Sequence, residues 1–257
     1  MSLRYHLGRM FQVAETRVLS RSWFPLFRRF LGGTNWMYDI CRFSGTRDLR
    51  CIFDVGANVG NLTLELTAFF PVAEIHAFEP ITTTFVELKR RTRHRSPVHC
   101  HQLALADKPG EFEIVLQPCS GLNSLRYLAD GSSDPGCRER IRVSTVSDFC
   151  AEAGIAELDV LKIDTQGCDL AVLRGAARLL HAAAVPFLFV EASFTKDDAT
   201  NQDFSPQHEF VTDLGYRACG VYDQLNFGPH LSLLGCFNVL YLHPEAMRQR
   251  FPSFPRA

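Results

Sequence analysis

The stretch IFDVGANVGN, residues 52–61, joins an apolar run and one acid to glycines and asparagines in close order. In an α/β sheet, ligands bind beyond the carboxyl ends of the strands, in turns of this kind. Gly56 and Gly60 allow backbone geometry and a close approach that a Cβ would block. The first N–H groups of the helix that follows favour an anion. The stretch therefore predicts a strand to Val55, a ligand-binding turn, and a helix from about Gly60.

Downstream, short apolar runs alternate with helical periodicity. The predicted strands are 51–55, 74–78, 98–103, 158–163, 187–192 and 236–242, and the predicted helices are 60–70, 82–95, 168–183 and 206–214. Unbroken apolar strands joined by helices are typical of a parallel sheet covered on both faces. Right-handed crossovers make such a sheet doubly wound. The sequence therefore predicts an α/β, Rossmann-like fold with helices on both faces.

Four further segments fall between these elements. Residues 111–117 and 140–146 are predicted as additional extended segments. The turn-rich stretch 118–137 is predicted as a surface loop, and residues 223–235 are predicted to be loop-like. These two loops are candidate walls of an acceptor pocket.

The composition is that of one globular domain with short appendages. The chain has 257 residues, 46% hydrophobic and 21% charged, and its nine cysteines are scattered singly. Scattered cysteines favour reduced thiols in a cytoplasmic chain over a disulfide framework. No apolar stretch reaches the roughly 18 residues of a membrane span, and no basic patch or zinc-finger spacing indicates a nucleic-acid partner. The predicted organisation is a helical basic extension at 1–50, a main domain at 51–245 and a tail at 246–257.

The extension differs in charge from the rest of the chain. Residues 1–50 carry nine arginines and three acids, a net charge of +6 in a chain of net charge −1. Apolar residues recur at three- and four-residue steps in its first twenty residues, which predicts an amphipathic helix. Such a helix can make weak peripheral contact with a membrane. The favoured interpretation is a lid or packing helix on the more acidic body of the chain.

The turn at 56–60 excludes some cofactors. A dinucleotide site needs G-x-G-x-x-G, but Asn58 and Asn61 stand where its second and third glycines would be, and the Lys-Ser/Thr pair of a phosphate loop is absent. A smaller anion such as an amino-acid carboxylate fits, with Asp54 near the matching ammonium. A ligand that carries both groups and a ribose is S-adenosylmethionine.

Acids near the next two strand ends agree with that ligand. Glu79 follows the strand at 74–78, and a carboxylate there can accept hydrogen bonds from both ribose hydroxyls. Asp107 follows the third strand, where it could contact the amino group of an adenine. Asn61, at the start of the helix after the turn, is assigned to the cofactor site with them.

The runs IFDVGANVGN, HAFEP, LALAD and LKIDTQGCDLAVLRGA resemble the FkbM-type family of S-adenosylmethionine-dependent methyltransferases, over residues 51–242. The resemblance implies a seven-stranded sheet with an antiparallel final strand, and methyl transfer to a hydroxyl of a small molecule such as a polyketide or sugar. It also implies that the methionyl end is lined by Asp54, Gly56, Asn58 and Gly60, the ribose by Glu79 and the adenine by Asp107. Cys168-Asp169 departs from the small residue and Glu usual in the family, and residues 1–50 lie outside the resemblance.

Methyl transfer to an alcohol needs a base or a metal, because a protonated hydroxyl is a poor nucleophile. Asp164, after the strand at 158–163, is the first candidate to orient or deprotonate the acceptor, and its alternative role is a helix cap. Glu191, inside an apolar strand, is the second candidate, because a buried acid needs partners. Its alternative role is a structural anchor.

Neighbouring residues supply further hypotheses. Gln166 is a candidate hydrogen-bonding partner of the substrate, and Lys162 a candidate ion-pair partner of Asp164. His208 and His230 are less favoured candidate bases.

A magnesium site is a weaker alternative to a general base. Asp164 and Glu191 could hold Mg²⁺ with a third oxygen from Asp197, Asp198 or Asn201, but no metal is favoured. The competing functions are N-methylation with the same cofactor, NAD-dependent oxidoreduction, which the missing glycines disfavour, and binding without catalysis.

Overall fold

The computed structural model describes residues 32–95, 97–116, 138–195, 201–228, 230 and 232–254. The helix predicted in the first twenty residues, the loop predicted at 118–137, and the candidate ligands Asp197 and Asp198 lie outside these ranges. None of the helices within them is both long and apolar enough to cross a bilayer.

The strands are, in chain order, β1 (Cys51–Val55), β2 (Glu74–Phe78), β3 (Val98–His101), β4 (Ala104–Leu105), β5 (Gly110–Val115), β6 (Arg138–Ser144), β7 (Val160–Ile163), β8 (Phe187–Ser193), β9 (Arg217–Phe227) and β10 (Leu233–Leu242). The helices are α1 (Trp36–Ser44), α2 (Asn61–Phe69), α3 (Thr82–Thr92), α4 (Val146–Ala153), α5 (Asp169–Gly175), α6 (Ala177–His181), α7 (Phe204–Asp213) and α8 (Pro244–Arg250).

Seven strands form one sheet in the order β3-β2-β1-β7-β8-β10-β9. Within this sheet, the neighbours among β3, β2, β1, β7 and β8 pair in parallel, and β10 runs antiparallel to β8 and β9. The order reverses between β1 and β7, which places a ligand site at the carboxyl ends of these two strands. The predicted doubly wound, seven-stranded α/β fold with an antiparallel final strand is thereby confirmed. The extended segments predicted at 111–117 and 140–146 contribute β5 and β6 to a separate sheet, ordered β4-β6-β5.

Three details differ from the sequence prediction. Most of the loop predicted at 223–235 is a hairpin, because β9 continues to residue 227 and β10 begins at residue 233. β9 is an edge strand whose residues 223–226 are exposed, so it has no apolar run there that would reveal it. The strand predicted at 98–103 ends at residue 101, because residues 104–105 pair with β6. The helix predicted at 168–183 is divided into α5 and α6.

Each face of the large sheet is covered by helices and buries its own core. Alternate side chains point to opposite faces, so Phe53 packs with α4 to α7 whereas Ile52 packs with α1, α2 and α8. Both side chains are fully buried. This arrangement leaves the carboxyl ends of β1, β2, β7 and β8 as the rim on which polar side chains gather.

Helix α1 packs in the same core as Ile52, although it lies in the predicted extension. The Trp36 ring stacks on Phe189 of β8, with ring centroids 4.0 Å apart. Asp39 is buried and accepts a hydrogen bond from the Tyr222 hydroxyl of β9 at 2.9 Å. Residues 36–44 therefore pack directly on the sheet.

We expect Trp36→Ala to lower the free energy of unfolding by about 3–5 kcal/mol, because it leaves a cavity against Phe189 in a close-packed core. The Trp36 side chain is only 3% exposed. Urea denaturation measures the change. Val86→Ala, which truncates a side chain 61% exposed on α3, serves as the control and changes stability by less than about 0.5 kcal/mol. A Trp36 variant as stable as the control would show that α1 is only loosely attached.

Candidate active site

The turn after β1 is pressed against the end of β7. Gly56 has φ +78°, and a Cβ added there would lie 1.9 Å from the backbone oxygen of Asp164. The N–H groups of Gly56 and Ala57 donate to the carbonyl of Phe78 at 3.1 and 2.9 Å. Only glycine fits this position, and it brings the ends of β1, β2 and β7 together.

Asp54 lies beneath this turn and is fully buried. Its Oδ2 accepts a hydrogen bond from Thr63 Oγ1 of α2 at 2.7 Å, and its Oδ1 lies 3.0 Å from Lys162 Nζ of β7. The carboxylate therefore holds α2 and β7 to β1, which keeps the turn in place. The contact predicted between Asp54 and a ligand ammonium stays a prediction.

Lys162 is the buried cation of the site, with a side chain 5% exposed. Its Nζ also lies 3.7 Å from Asp164 Oδ2, so the ion pair predicted with Asp164 is present but is the longer of the two. Burial lowers the pKa of Lys162, but Asp54, Asp164 and Glu191 outweigh that effect, so its pKa is raised overall. The ammonium stays charged and partly balances the acids around it.

Glu79 fastens the turn to the start of α3. Its Oε2 accepts the N–H of Asn58 at 3.0 Å, and its Oε1 accepts the N–H of Ile81 at 3.0 Å and the hydroxyl of Thr84 at 2.8 Å. Burial raises the pKa of Glu79, and these hydrogen bonds offset part of the rise. Three donors fix the carboxylate, and Oε2 keeps a further lone pair for another donor.

The other predicted cofactor residues lie in the turn, at the start of α2 and beside the small sheet. Gly60 has φ +79°, and Asn61, which begins α2, accepts a hydrogen bond from Arg91 Nη1 at 2.7 Å. Asn58, with φ +48°, is held in the left-handed region that few non-glycine residues adopt. Asp107 is exposed in the turn between β4 and β5, beside the small sheet.

Asp164 and Glu191 are joined by one amide. Gln166 Nε2 donates to Asp164 Oδ1 at 2.9 Å and to Glu191 Oε2 at 3.3 Å. The Asp164 side chain is 34% exposed, and Glu191 is also partly exposed. Asp164 does not cap the following helix, whose N-cap is Cys168. Its side chain is thus directed at the site's own polar groups and at solvent.

Asp169 supports the loop that carries these groups, a role that the sequence analysis missed. Its Oδ1 accepts the N–H of Thr165 at 2.9 Å, and its Oδ2 accepts the N–H of Gly167 at 3.2 Å. Gln166 and Gly167 have φ +54° and +92°, so the loop between β7 and α5 is tightly bent. The signal available in the sequence was an acid in the first turn of a helix after a Gly.

Two acids of the site, Asp169 and Glu191, hold their protons more tightly than free carboxyl groups do. Burial, and then the charge of Asp164, raises the pKa of Asp169 to about 6. Burial, followed by the charges of Asp164 and Asp169, raises the pKa of Glu191 well above its ordinary value, against the opposing effect of Lys162. Buried acids with raised pKa values are typical of functional sites.

The two candidate histidines have other surroundings. His208 of α7 stacks on Phe204 and lies 3.2 Å from the Tyr241 hydroxyl through Nδ1, and His230 is exposed. The Gln166 amide contacts one oxygen of each acid, so a Mg²⁺ ion held by both would use their other oxygens or displace this amide.

Comparison with known proteins gives the family of this chain. A family model described as "Methyltransferase FkbM domain" matches residues 54–218. "Methyltransferase 1" of Beauveria bassiana (strain ARSEF 2860) is 28% identical over 156 residues, covering 54% of this chain and 61% of that protein. The 31-O-demethyl-FK506 methyltransferase FkbM of Streptomyces tacrolimicus is 32% identical over 151 residues, covering 48% of this chain and 58% of that protein.

The chain therefore matches about three fifths of the length of these two relatives. Among solved structures, a METTL16 MTase domain is 12% identical with a TM-score of 0.48, over 81% of this chain and 65% of that one.

Proposed function

Because the chain belongs to the FkbM methyltransferase domain family, we propose that it binds S-adenosylmethionine and methylates a hydroxyl of a small molecule, such as a secondary metabolite, a polyketide or a sugar. The main support for this proposal is that one turn contacts both Glu79, the proposed ribose ligand, and Asp164, the proposed base. Asn58 of the turn donates to Glu79, and Gly56 of the same turn packs on the backbone of Asp164.

The residues at the turn fit the cofactor's ribose and methionyl groups. Glu79 is held rigidly and has acceptor capacity left on Oε2 for a ribose hydroxyl. The positive φ angles of Gly56, Asn58 and Gly60 set the path of this turn, and the two glycines let it pack closely on Asp164 and Leu88. Asp54 and Asn61 complete the proposed methionyl side, and Asp107 the adenine side.

When bound, S-adenosylmethionine supplies a methyl group on a positively charged sulfur. The task of the chain is to hold the acceptor oxygen in line with that methyl and to accept the hydroxyl proton. Asp164 suits the second task, because it is partly exposed and is oriented by the Gln166 amide. Glu191, on the other side of the same amide, is the second candidate.

The proposed partner is therefore a small hydroxylated acceptor and not a nucleic acid. A cytoplasmic location and weak membrane contact through residues 1–50 complete the proposal, and they rest on the sequence alone.

Ligand-dependent unfolding tests the cofactor. We expect S-adenosylhomocysteine to raise the Tm by about 5–10 °C at 100 times its Kd, and NAD to leave it unchanged, because only the first fits the turn. Stabilisation by NAD alone would overturn the proposal. Turnover is then tested by mass spectrometry of candidate hydroxylated acceptors for the net gain of CH₂, with and without EDTA to decide metal dependence. Cofactor binding with no acceptor methylated in a broad panel would favour the non-catalytic alternative.

A further inference from the structure

A stack of three histidines lies at the edge of the large sheet, away from the candidate active site. His76 of β2 pairs in register with His99 of β3, so both side chains point to the same face. The ring centroids of His76 and His99 are 4.9 Å apart, and those of His76 and His101 are 5.2 Å apart with nearly parallel planes. His76 lies three residues before Glu79, about 10 Å along the strand.

One atom of this stack has no partner. His76 is only 8% exposed, and its Nδ1 lies 3.1 Å from His101 Nε2. Its Nε2 is buried without a hydrogen-bond partner among the described residues. A buried polar atom left without a partner costs free energy, so the position invites a ligand.

Two further donor groups lie close to the His76 ring. Glu74 begins β2, two residues before His76 on the same face, and His99 lies across from His76 on β3. One ligand atom from each of these three residues lies within 4.8 Å of the others. Glu74 and His99 are exposed, so an ion can enter from solvent.

We propose that Glu74, His76 and His99 bind a divalent transition-metal ion, with zinc as the preferred ion. Two imidazoles and one carboxylate form a ligand set that zinc binds, with a fourth position left for water. Ligands of a tetrahedral zinc lie about 3.4 Å from one another, since each bond is about 2.0–2.1 Å. The exposed side chains of Glu74 and His99 need to move by only about an ångström, while His76 stays fixed.

His101 acts as the positioning residue for this metal. A histidine that binds metal through one ring nitrogen usually donates its other N–H to a neighbour, which fixes the ring and its tautomer. Donation from His76 Nδ1 to His101 Nε2 leaves the lone pair of His76 Nε2 directed at the metal.

The bound ion would hold β3 to β2 at the edge of the sheet. The carbonyl of His101 accepts the N–H of Glu79 at 3.0 Å, so these strands also support the proposed ribose ligand. The metal's role is therefore structural, and it does not take part in methyl transfer.

Titration of the metal-free full chain with Co²⁺, followed by displacement with Zn²⁺, tests the site. We expect one equivalent of Co²⁺ with visible bands typical of nitrogen and oxygen ligands, and without the intense near-ultraviolet band of thiolate ligation. His99→Ala and Glu74→Gln, both at exposed positions, are each expected to weaken Zn²⁺ binding at least about tenfold. His94→Ala, at an exposed histidine beyond α3, serves as the matched control and keeps the affinity.

A second measurement separates the metal from the cofactor. Zinc at 100 times its Kd is expected to raise the Tm of the parent chain and of the His94 variant by about 5–10 °C, with a smaller rise in the His99 variant. The affinity for S-adenosylhomocysteine is expected to be the same in His94→Ala and His99→Ala. Equal zinc affinity in all variants, or a dominant thiolate band, would overturn the assignment.

Discussion

Replacing Asp164 by Asn is expected to lower kcat by about 10²–10⁴-fold, the usual contribution of a positioned general base. The amide cannot accept the proton of the acceptor hydroxyl, although its oxygen can still accept the hydrogen bond from Gln166. Cofactor affinity is expected to change by less than about threefold, because the contact with Gly56 is made by the backbone of Asp164. Steady-state rates and calorimetric titration with S-adenosylhomocysteine measure the two quantities.

The matched control is Asp148→Asn, at a side chain 48% exposed on α4. It makes the same chemical change away from the rim, so both kcat and affinity should be unaffected. Equal losses of rate and affinity in Asp164→Asn would mean that this acid shapes the cofactor pocket. A normal rate there, with a large loss in Glu191→Gln, would transfer the role of base to Glu191. Activity that survives both changes would favour an N-methyl acceptor, which needs no strong base.

The parts of the fold that the sequence predicted are those with a local signature. β1 and its turn were predicted because Gly56 and the asparagines around it mark a sharp bend directly after a buried apolar strand. The edge strand β9 was not predicted, because only its pairing with β10 defines it and most of its side chains face solvent near the hairpin. Helix α1 was assigned to an extension, and its stacking on Phe189 depends on a contact between residues 153 positions apart.

The candidate site was likewise predictable from the sequence only in part. The acids Glu79 and Asp164 could be proposed from their places at strand ends, since parallel strands bring their carboxyl ends to one edge. The ion pair of Lys162 with Asp164 was predicted, because the two residues lie two positions apart. The shorter ion pair of Lys162 with Asp54 was not, because these residues are 108 positions apart in the chain and meet only in the folded sheet. The pKa shifts of Asp169 and Glu191 depend on burial, which no local pattern shows.

Glu79→Ala is expected to reduce the affinity for S-adenosylhomocysteine by at least about tenfold. One hydrogen bond from a ribose hydroxyl to the free lone pair of Oε2 contributes about 1.5–3 kcal/mol, and every 1.4 kcal/mol is tenfold in affinity. The substitution also removes the acceptor of the Asn58 N–H, which loosens the turn on the cofactor's side. Calorimetric titration gives the affinity, and near-ultraviolet circular dichroism verifies that the variant is folded.

Thr84→Val separates the ribose contact from the structural role of Glu79. It removes only the hydroxyl that donates to Oε1 at 2.8 Å and leaves Oε2, on the side of the turn, with its bond to Asn58. This variant is expected to lose about 1 kcal/mol of stability and to bind S-adenosylhomocysteine within about threefold of the parent. If instead both variants lose affinity in proportion to stability, Glu79 only braces the turn. If Glu79→Ala is folded and binds normally, the ribose of the cofactor must lie elsewhere on the rim.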